Sequence, residues 1–474
     1  MSDRRLIATV DAEGRVVLPA EAAARLGLAP GASVGLQEEP HSLRIRRPVE
    51  QLAKLYIEPT TRCNLTCRTC IRNAWEEPLG DMSEQTFRRV LDGIRSFEPP
   101  PSVFFGGFGE PLAHPRIVSM VARAKAAGAP KVELITNGCL LDEEMAKQLI
   151  QAGLDTLWVS LDGIRPESYS DVRLGALLPD VLENLRVFRE VRRELCDCSD
   201  LPAPRELPGW GIMPDPAKHD VEMEQYLAEM ISRFGEAGAG VQPAPSPAGS
   251  IPARKAPELG ITFVAMKRNI ADLPFLLLLG RILGASRFNV SNVIPYTEEL
   301  LAEILWKDTL RLSPLPALWH TALRLPAIDV TGITREPLEM VIHGRHERSL
   351  AGADVSAVTR YCPFVEAGTT AVTWDGAVSP CQALIHSHTE FITADWKRRV
   401  DRHLVGNLAE RSLRSLWLDP AYLEFRRKVQ AFDFAPCLAC GGCNLASDNE
   451  EDCEGPESPR CGACLWSHGL IRCP

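Results

Sequence analysis

From Gln51 onward the chain repeats one order of positions: a short apolar run, a stretch with apolar residues three and four apart, then another short apolar run. Short runs of Val, Ile, Leu and Phe suit buried strands, and the three-and-four spacing suits helices laid over them. The pattern predicts strands over Lys54–Pro59, Ser102–Phe105, Lys131–Ile135, Thr156–Leu161, Ile261–Lys267 and Phe288–Val293. Helices are predicted over Ser83–Phe97, Arg116–Ala127, Glu143–Ala152, Asp180–Leu195 and Ile270–Gly284. This α/β alternation implies a parallel sheet or barrel with right-handed crossovers. Ahead of it, strands Leu6–Val10 and Arg15–Leu18, helix Ala20–Leu26, and strands Val34–Leu36 and Ser42–Ile45 form a β-β-α-β-β unit within residues 1–50.

The repeat is interrupted at 196–259, where "GEAGAGVQPAPSPAGSIPARKAPE" is rich in Gly, Pro and Ala and reads as a linker. Only Val221–Phe234 there has helical spacing. Residues 51–295 therefore form the core, 296–355 a helical connector with helices over Glu298–Trp306 and Ala317–Leu325, and 356–474 a cysteine-rich end. His343 and His346 in the connector read as exposed polar residues without a role.

Charge excludes some classes. A net charge of −10 argues against general affinity for nucleic acid or anionic membrane. Residues 1–50 hold seven Arg and seven Asp or Glu, so even that unit lacks a basic footprint. The chain opens without a charged segment followed by an apolar one, and Leu273–Leu279 is too short to span a bilayer, so a cytoplasmic protein is expected. Most of the fifteen cysteines fall in two clusters, the pattern of ligand sets in a reducing compartment.

The first cluster, Cys63-x3-Cys67-x2-Cys70, follows the first strand directly. Three thiolates on one loop can hold three irons of a cubane and leave the fourth iron open, whereas a structural zinc needs a fourth protein ligand that is not nearby. One strand later, Gly106-Gly107-Phe108-Gly109-Glu110-Pro111 offers a backbone edge suited to a zwitterionic amino acid group. Cys139, Cys196 and Cys198 read as ordinary thiols, although Cys139 lies near the expected active face.

These motifs resemble the radical S-adenosylmethionine (SAM) superfamily over roughly residues 52–295. The resemblance implies a partial (β/α)6 TIM-type barrel whose 4Fe-4S cluster binds and reductively cleaves S-adenosylmethionine to a 5′-deoxyadenosyl radical. It assigns Cys63, Cys67 and Cys70 as cluster ligands, Gly109 and Glu110 to the methionine end, and Ser160 and Asp162 to the ribose. Thr69 stands where the family often has an aromatic residue. The segment "VDAEGRVVLPAEAAARLGLAPGASV" resembles the swapped-hairpin SpoVT/AbrB domain, which implies a homodimer through residues 1–50; DNA binding is the less favoured role.

Nine cysteines lie between 362 and 473: Cys362, Cys381, Cys437, Cys440, Cys443, Cys453, Cys461, Cys464 and Cys473. Cys437-x2-Cys440 with Cys461-x2-Cys464 would suit a zinc site, but zinc leaves five thiols unused and two four-iron clusters use eight. The Cys362-x13-Gly376-x4-Cys381 opening resembles the SPASM extension, which implies one or two auxiliary 4Fe-4S clusters. Ala446 replaces an expected cysteine, so one thiol of the set is open to a substrate-facing role. The whole arrangement, with its terminal "CGACLWSHGLIRCP", resembles the radical maturases of tungsten-cofactor aldehyde ferredoxin oxidoreductases. That implies a tungstopterin oxidoreductase or its cofactor as partner, and ferredoxin or flavodoxin as electron donor. A peptide-crosslinking radical enzyme and a DNA-binding iron–sulfur regulator are the alternatives.

Overall fold

The computed structural model describes residues 8–26, 35–39, 42–75, 77–196, 255–307, 318–324, 328–329, 331–343, 362–393, 395–435, 437–440, 444–456 and 458–473. At the N-terminus, β1 (Thr9–Val10) pairs antiparallel with β2 (Val16–Val17), and β3 (Gly35–Glu39) with β4 (Ser42–Arg46), flanking helix Ala20–Leu26. The expected β-β-α-β-β order is present.

Six parallel strands follow: β5 (Lys54–Ile57), β6 (Ser102–Phe105), β7 (Val132–Thr136), β8 (Thr156–Ser160), β9 (Glu258–Ala265) and β10 (Ala285–Asn292). They lie side by side in chain order. Strand alternation separates two faces. Leu55, Ile57, Val103, Phe105, Leu157 and Val159 pack outward under the helices, whereas Tyr56, Phe104 and Trp158 fill the inner face. At the amino end of the strands Lys54 pairs with buried Glu133 at 3.1 Å, and the Trp158 indole N–H donates to the same carboxylate at 3.3 Å. The opposite, carboxyl end is left for the site.

Helix starts follow local chemistry. Ser83 caps helix Glu84–Arg95 by accepting the Thr86 N–H, and Asp142 caps Glu143–Ala152 by accepting the Met145 N–H. The apolar run Leu273–Ile282 is a helix buried on nearly every side, in keeping with its lack of a polar face.

The expected helix over Ala317–Leu325 is instead β11 (Leu318–Arg324), parallel to β10. Helical spacing was a weaker guide there than the unpaired edge of β10, whose backbone groups a further strand satisfies. Helix Glu298–Trp306 shortens to Glu298–Leu301. His343 ends helix Arg335–His343. Val221–Phe234, Cys198 and His346 lie outside the described residues.

The other edge was not foreseen. β12 (Thr369–Val372) pairs parallel with β5, then antiparallel with β13 (Ala377–Ser379), which pairs with β16 (Gly406–Asn407). One ten-stranded sheet thus runs from the barrel into the C-terminal region, so β5 is flanked by β12 and the barrel stays open. A separate hairpin, β14 (His388–Thr393) with β15 (Trp396–Val400), stands beside it. None of the described helices is long and apolar enough to cross a membrane.

Candidate radical site and auxiliary thiol set

Cys63, Cys67 and Cys70 lie on the loop leaving β5, held by backbone bonds at both ends. Thr61 N–H donates to Gly80 O and Arg68 N–H to Val172 O, both at 3.0 Å. Burial, and after it the charge of neighbouring thiols, raises the pKa of Cys63 and of Cys70, the latter up to about 11. Such thiols stay protonated unless a cation stabilises the thiolate, which cluster irons do. Two further groups support the sulfurs: Asn137 Nδ2 lies 3.8 Å from Cys63 Sγ, and Arg173 Nη1 lies 3.8 Å from Cys67 Sγ. The donor set fits the open-iron cluster described above.

Gly109 and Glu110 turn out to secure this loop. A Cβ on Gly109 would stand 2.1 Å from Thr60 O and 2.8 Å from Arg62 O, so only glycine lets the two backbones cross here. Glu110 N–H donates to Arg62 O at 2.8 Å. The Glu110 carboxylate is buried and accepts from Leu112 N, Thr136 Oγ1 and Asn137 N, at 3.0, 2.7 and 2.7 Å. It ties the loop to the end of β7.

Asp162 is fully buried: it accepts Val264 N–H at 2.7 Å and pairs with Arg173 at 2.6 Å. Ser160, at the end of β8, accepts the Thr262 hydroxyl at 3.1 Å. It lines a barrel cavity of about 230 Å³ together with Cys70, Gly107, Phe108 and Arg173. Gly109, Glu110 and Asp162 are not among its lining residues. The far wall carries Asn289, Ser291, Tyr296, Arg472 and Cys473, and no carboxylate lines the cavity. Arg173 and Asn289 carry no local motif, so nothing in the sequence marks them.

Glu58, one residue past β5, accepts from His386 Nε2 at 3.0 Å while His386 Nδ1 meets Glu77 at 2.5 Å. Trp75 packs edge-on against this imidazole, 4.2 Å away. Burial opposes charge on His386, but the two carboxylates outweigh it and raise its pKa to about 9. A raised histidine stabilises the fold fully below its unfolded pKa of about 6.5 and loses that contribution as pH rises through the folded value. Stability is therefore expected to fall by a few kcal/mol between about pH 6.5 and 9, and the H386Q variant to show a flatter profile in denaturant titrations.

Among the nine C-terminal cysteines the structure brings Cys362, Cys381, Cys461 and Cys464 around one buried cavity. Arg398 also lines it, paired with buried Glu390 at 3.1 Å. This pairing differs from the zinc alternative, in which Cys461 and Cys464 go with Cys437 and Cys440. Among the described residues no three His, Cys, Asp or Glu converge tightly enough for a single metal ion. A tetrahedral zinc site needs sulfurs about 3.8 Å apart, whereas these four are spread around a cavity. Cys437 lies beside Gly462, and Cys453 is exposed. The Cys440 side chain and Cys443 lie outside the described residues. Cys473 stands apart from the four, in the barrel cavity. Cys139 is half-buried close to Cys63 and Cys67, and Cys196 ends helix Leu178–Leu195.

Residues 57–201 match the Radical SAM superfamily, and residues 362–444 match SPASM, an iron–sulfur cluster-binding domain. The "Tungsten-containing aldehyde ferredoxin oxidoreductase cofactor-modifying protein" of Pyrococcus furiosus is 27% identical over 423 residues, covering 89% of this chain and 96% of that protein. The "7,8-dihydro-6-hydroxymethylpterin dimethyltransferase" of Methanocaldococcus jannaschii is 35% identical over 138 residues, 27% of each chain. SuiB of Streptococcus suis, solved with S-adenosylmethionine, covers 84% of this chain and 73% of its own, at a TM-score of 0.47 and 16% identity. The chain is a radical SAM enzyme, with a radical SAM domain joined to a SPASM iron–sulfur domain.

Proposed function

We propose that the chain matures a tungsten-dependent oxidoreductase by modifying its pterin cofactor. The observation that carries this reading is the likeness to the Pyrococcus cofactor-modifying protein along nearly the whole of both chains. The barrel cavity is in keeping with a small heterocycle: amides, hydroxyls and the guanidinium groups of Arg173 and Arg472 line it, with aromatic Phe108 and Tyr296 on its walls. Loaded with its cluster and S-adenosylmethionine, the site supplies a 5′-deoxyadenosyl radical for hydrogen abstraction. The chain's own residues do the rest. Cys63, Cys67 and Cys70 hold the cluster, Gly107 and Phe108 present the edge facing the methionine end, and Ser160 lies at the ribose side. Cys362, Cys381, Cys461 and Cys464 hold one auxiliary cluster, with Cys437, Cys440, Cys443 and Cys453 left for a second.

Ferredoxin or flavodoxin supplies electrons in this reading, residues 1–50 form the dimer contact, and the protein works in the cytoplasm. The test is co-expression of the tungsten enzyme with this chain or with its C63A/C67A/C70A variant. The expected result is active oxidoreductase with the wild type only. Equal activity and an identical extracted pterin with both would overturn the reading.

A further inference from the structure

We propose that Cys473 is the hydrogen-atom donor of the barrel cavity, and that Trp466 connects it to the auxiliary thiol set. The inference rests on the chain being a radical enzyme and is independent of which substrate it takes.

Three observations carry it. Cys473 lines the same cavity as Cys70, so the C-terminal tail and the radical cluster loop border one volume. The tail is fixed there by hydrogen bonds with β10: Asn292 Nδ2 donates to Leu470 O at 3.0 Å and Asn289 Nδ2 to Arg472 O at 3.2 Å, while Arg472 N–H donates to Ser291 Oγ at 3.1 Å. Second, Asn289 is 3% exposed, lines this cavity, and its Oδ1 has no protein partner. A buried amide oxygen left unpaired costs about 1–3 kcal/mol, so the site is shaped for a ligand that donates to it beside the thiol. Third, the Trp466 indole N–H donates to Cys473 Sγ at 3.4 Å, while the same residue lines the cavity of Cys362, Cys381, Cys461 and Cys464. Trp466 therefore touches both compartments.

Among the described C-terminal cysteines, Cys473 is the one that lines the barrel cavity.

The step balances as follows. A carbon-centred substrate radical takes the hydrogen atom of the Cys473 S–H; a C–H bond forms, the S–H bond breaks, and a thiyl radical is left. A reduced iron–sulfur cluster, which Cys362, Cys381, Cys461 and Cys464 would hold on the other side of Trp466, would supply the one electron that with one solvent proton restores the thiol.

The substrate is not needed for the test. The anaerobically reconstituted full chain is given S-adenosylmethionine and dithionite in D2O, where Cys473 carries S–D. Wild type is expected to place solvent deuterium in the 5′-deoxyadenosine formed, and C473S to lower that label at least tenfold. Iron and sulfide are expected to equal wild type in C473S and C473A, whereas C464A loses about four irons. Unlabelled 5′-deoxyadenosine from wild type, equal label from C473S, or loss of about four irons in C473A would each overturn the proposal. No 5′-deoxyadenosine from wild type at all would instead sink the radical reading.

Discussion

The G109A variant is expected to fold but to lose the radical cluster, with iron falling by about four per chain and S-adenosylmethionine cleavage to below about 1% of wild type. The added Cβ would stand 2.1 Å from Thr60 O and 2.7 Å from Thr60 C, both backbone atoms with no rotamer to escape into. Something must move by an ångström or more. The helix side is anchored, because Glu110 is held by Leu112, Thr136 and Asn137, so the displacement falls on the strand that leads to Cys63. Overpacking of this kind costs about 1–3 kcal/mol, too little to unfold the barrel. A three-thiol cluster site tolerates far less misplacement than a core does. Anaerobic iron analysis beside far-ultraviolet circular dichroism separates the two: unchanged ellipticity with lost iron is the expected pair.

Replacing Arg173 has the second large effect, on stability as well as on the cluster. Its guanidinium is nearly buried, 2.6 Å from Asp162 and within reach of Cys67. R173M leaves the fully buried Asp162 carboxylate without its counter-charge, a loss of about 3–5 kcal/mol and a fall in Tm of roughly 5 °C. D162N keeps Oδ1 for the Val264 N–H, so the double variant R173M/D162N should regain most of the stability. It should not regain the cluster's behaviour, because the cation beside Cys67 is still missing. A midpoint potential shifted negative in the stable double variant checks this; a potential equal to wild type would reduce Arg173 to a partner of Asp162.

Chemistry written in a short local stretch was legible before any coordinates. The cysteine loop, the glycine edge and the six strands β5–β10 all stand where their patterns place them, because each is fixed by neighbours in the sequence. Residues that meet across the fold were not. Arg173 reaches Asp162 and Cys67 from a separate loop, and His386 crosses from the C-terminal region to Glu58. Cys362 and Cys381 meet Cys461 and Cys464 across about eighty residues, a pairing that spacing alone leaves open. Likewise Leu318–Arg324 reads as helix by spacing and becomes strand only because β10 offers it an edge. Gly109 and Glu110 were found for the right motif, but their side of the loop secures the cysteines while Gly107 and Phe108 line the cavity.

The central claim is a radical cluster on Cys63, Cys67 and Cys70 with separate auxiliary clusters behind it. Anaerobic iron and sulfide counting on wild type beside C63A/C67A/C70A tests it most directly. About twelve irons falling to about eight, with complete loss of 5′-deoxyadenosine formation, is the expected result. An iron count unchanged by the triple replacement, or 5′-deoxyadenosine still formed by the variant, would contradict it.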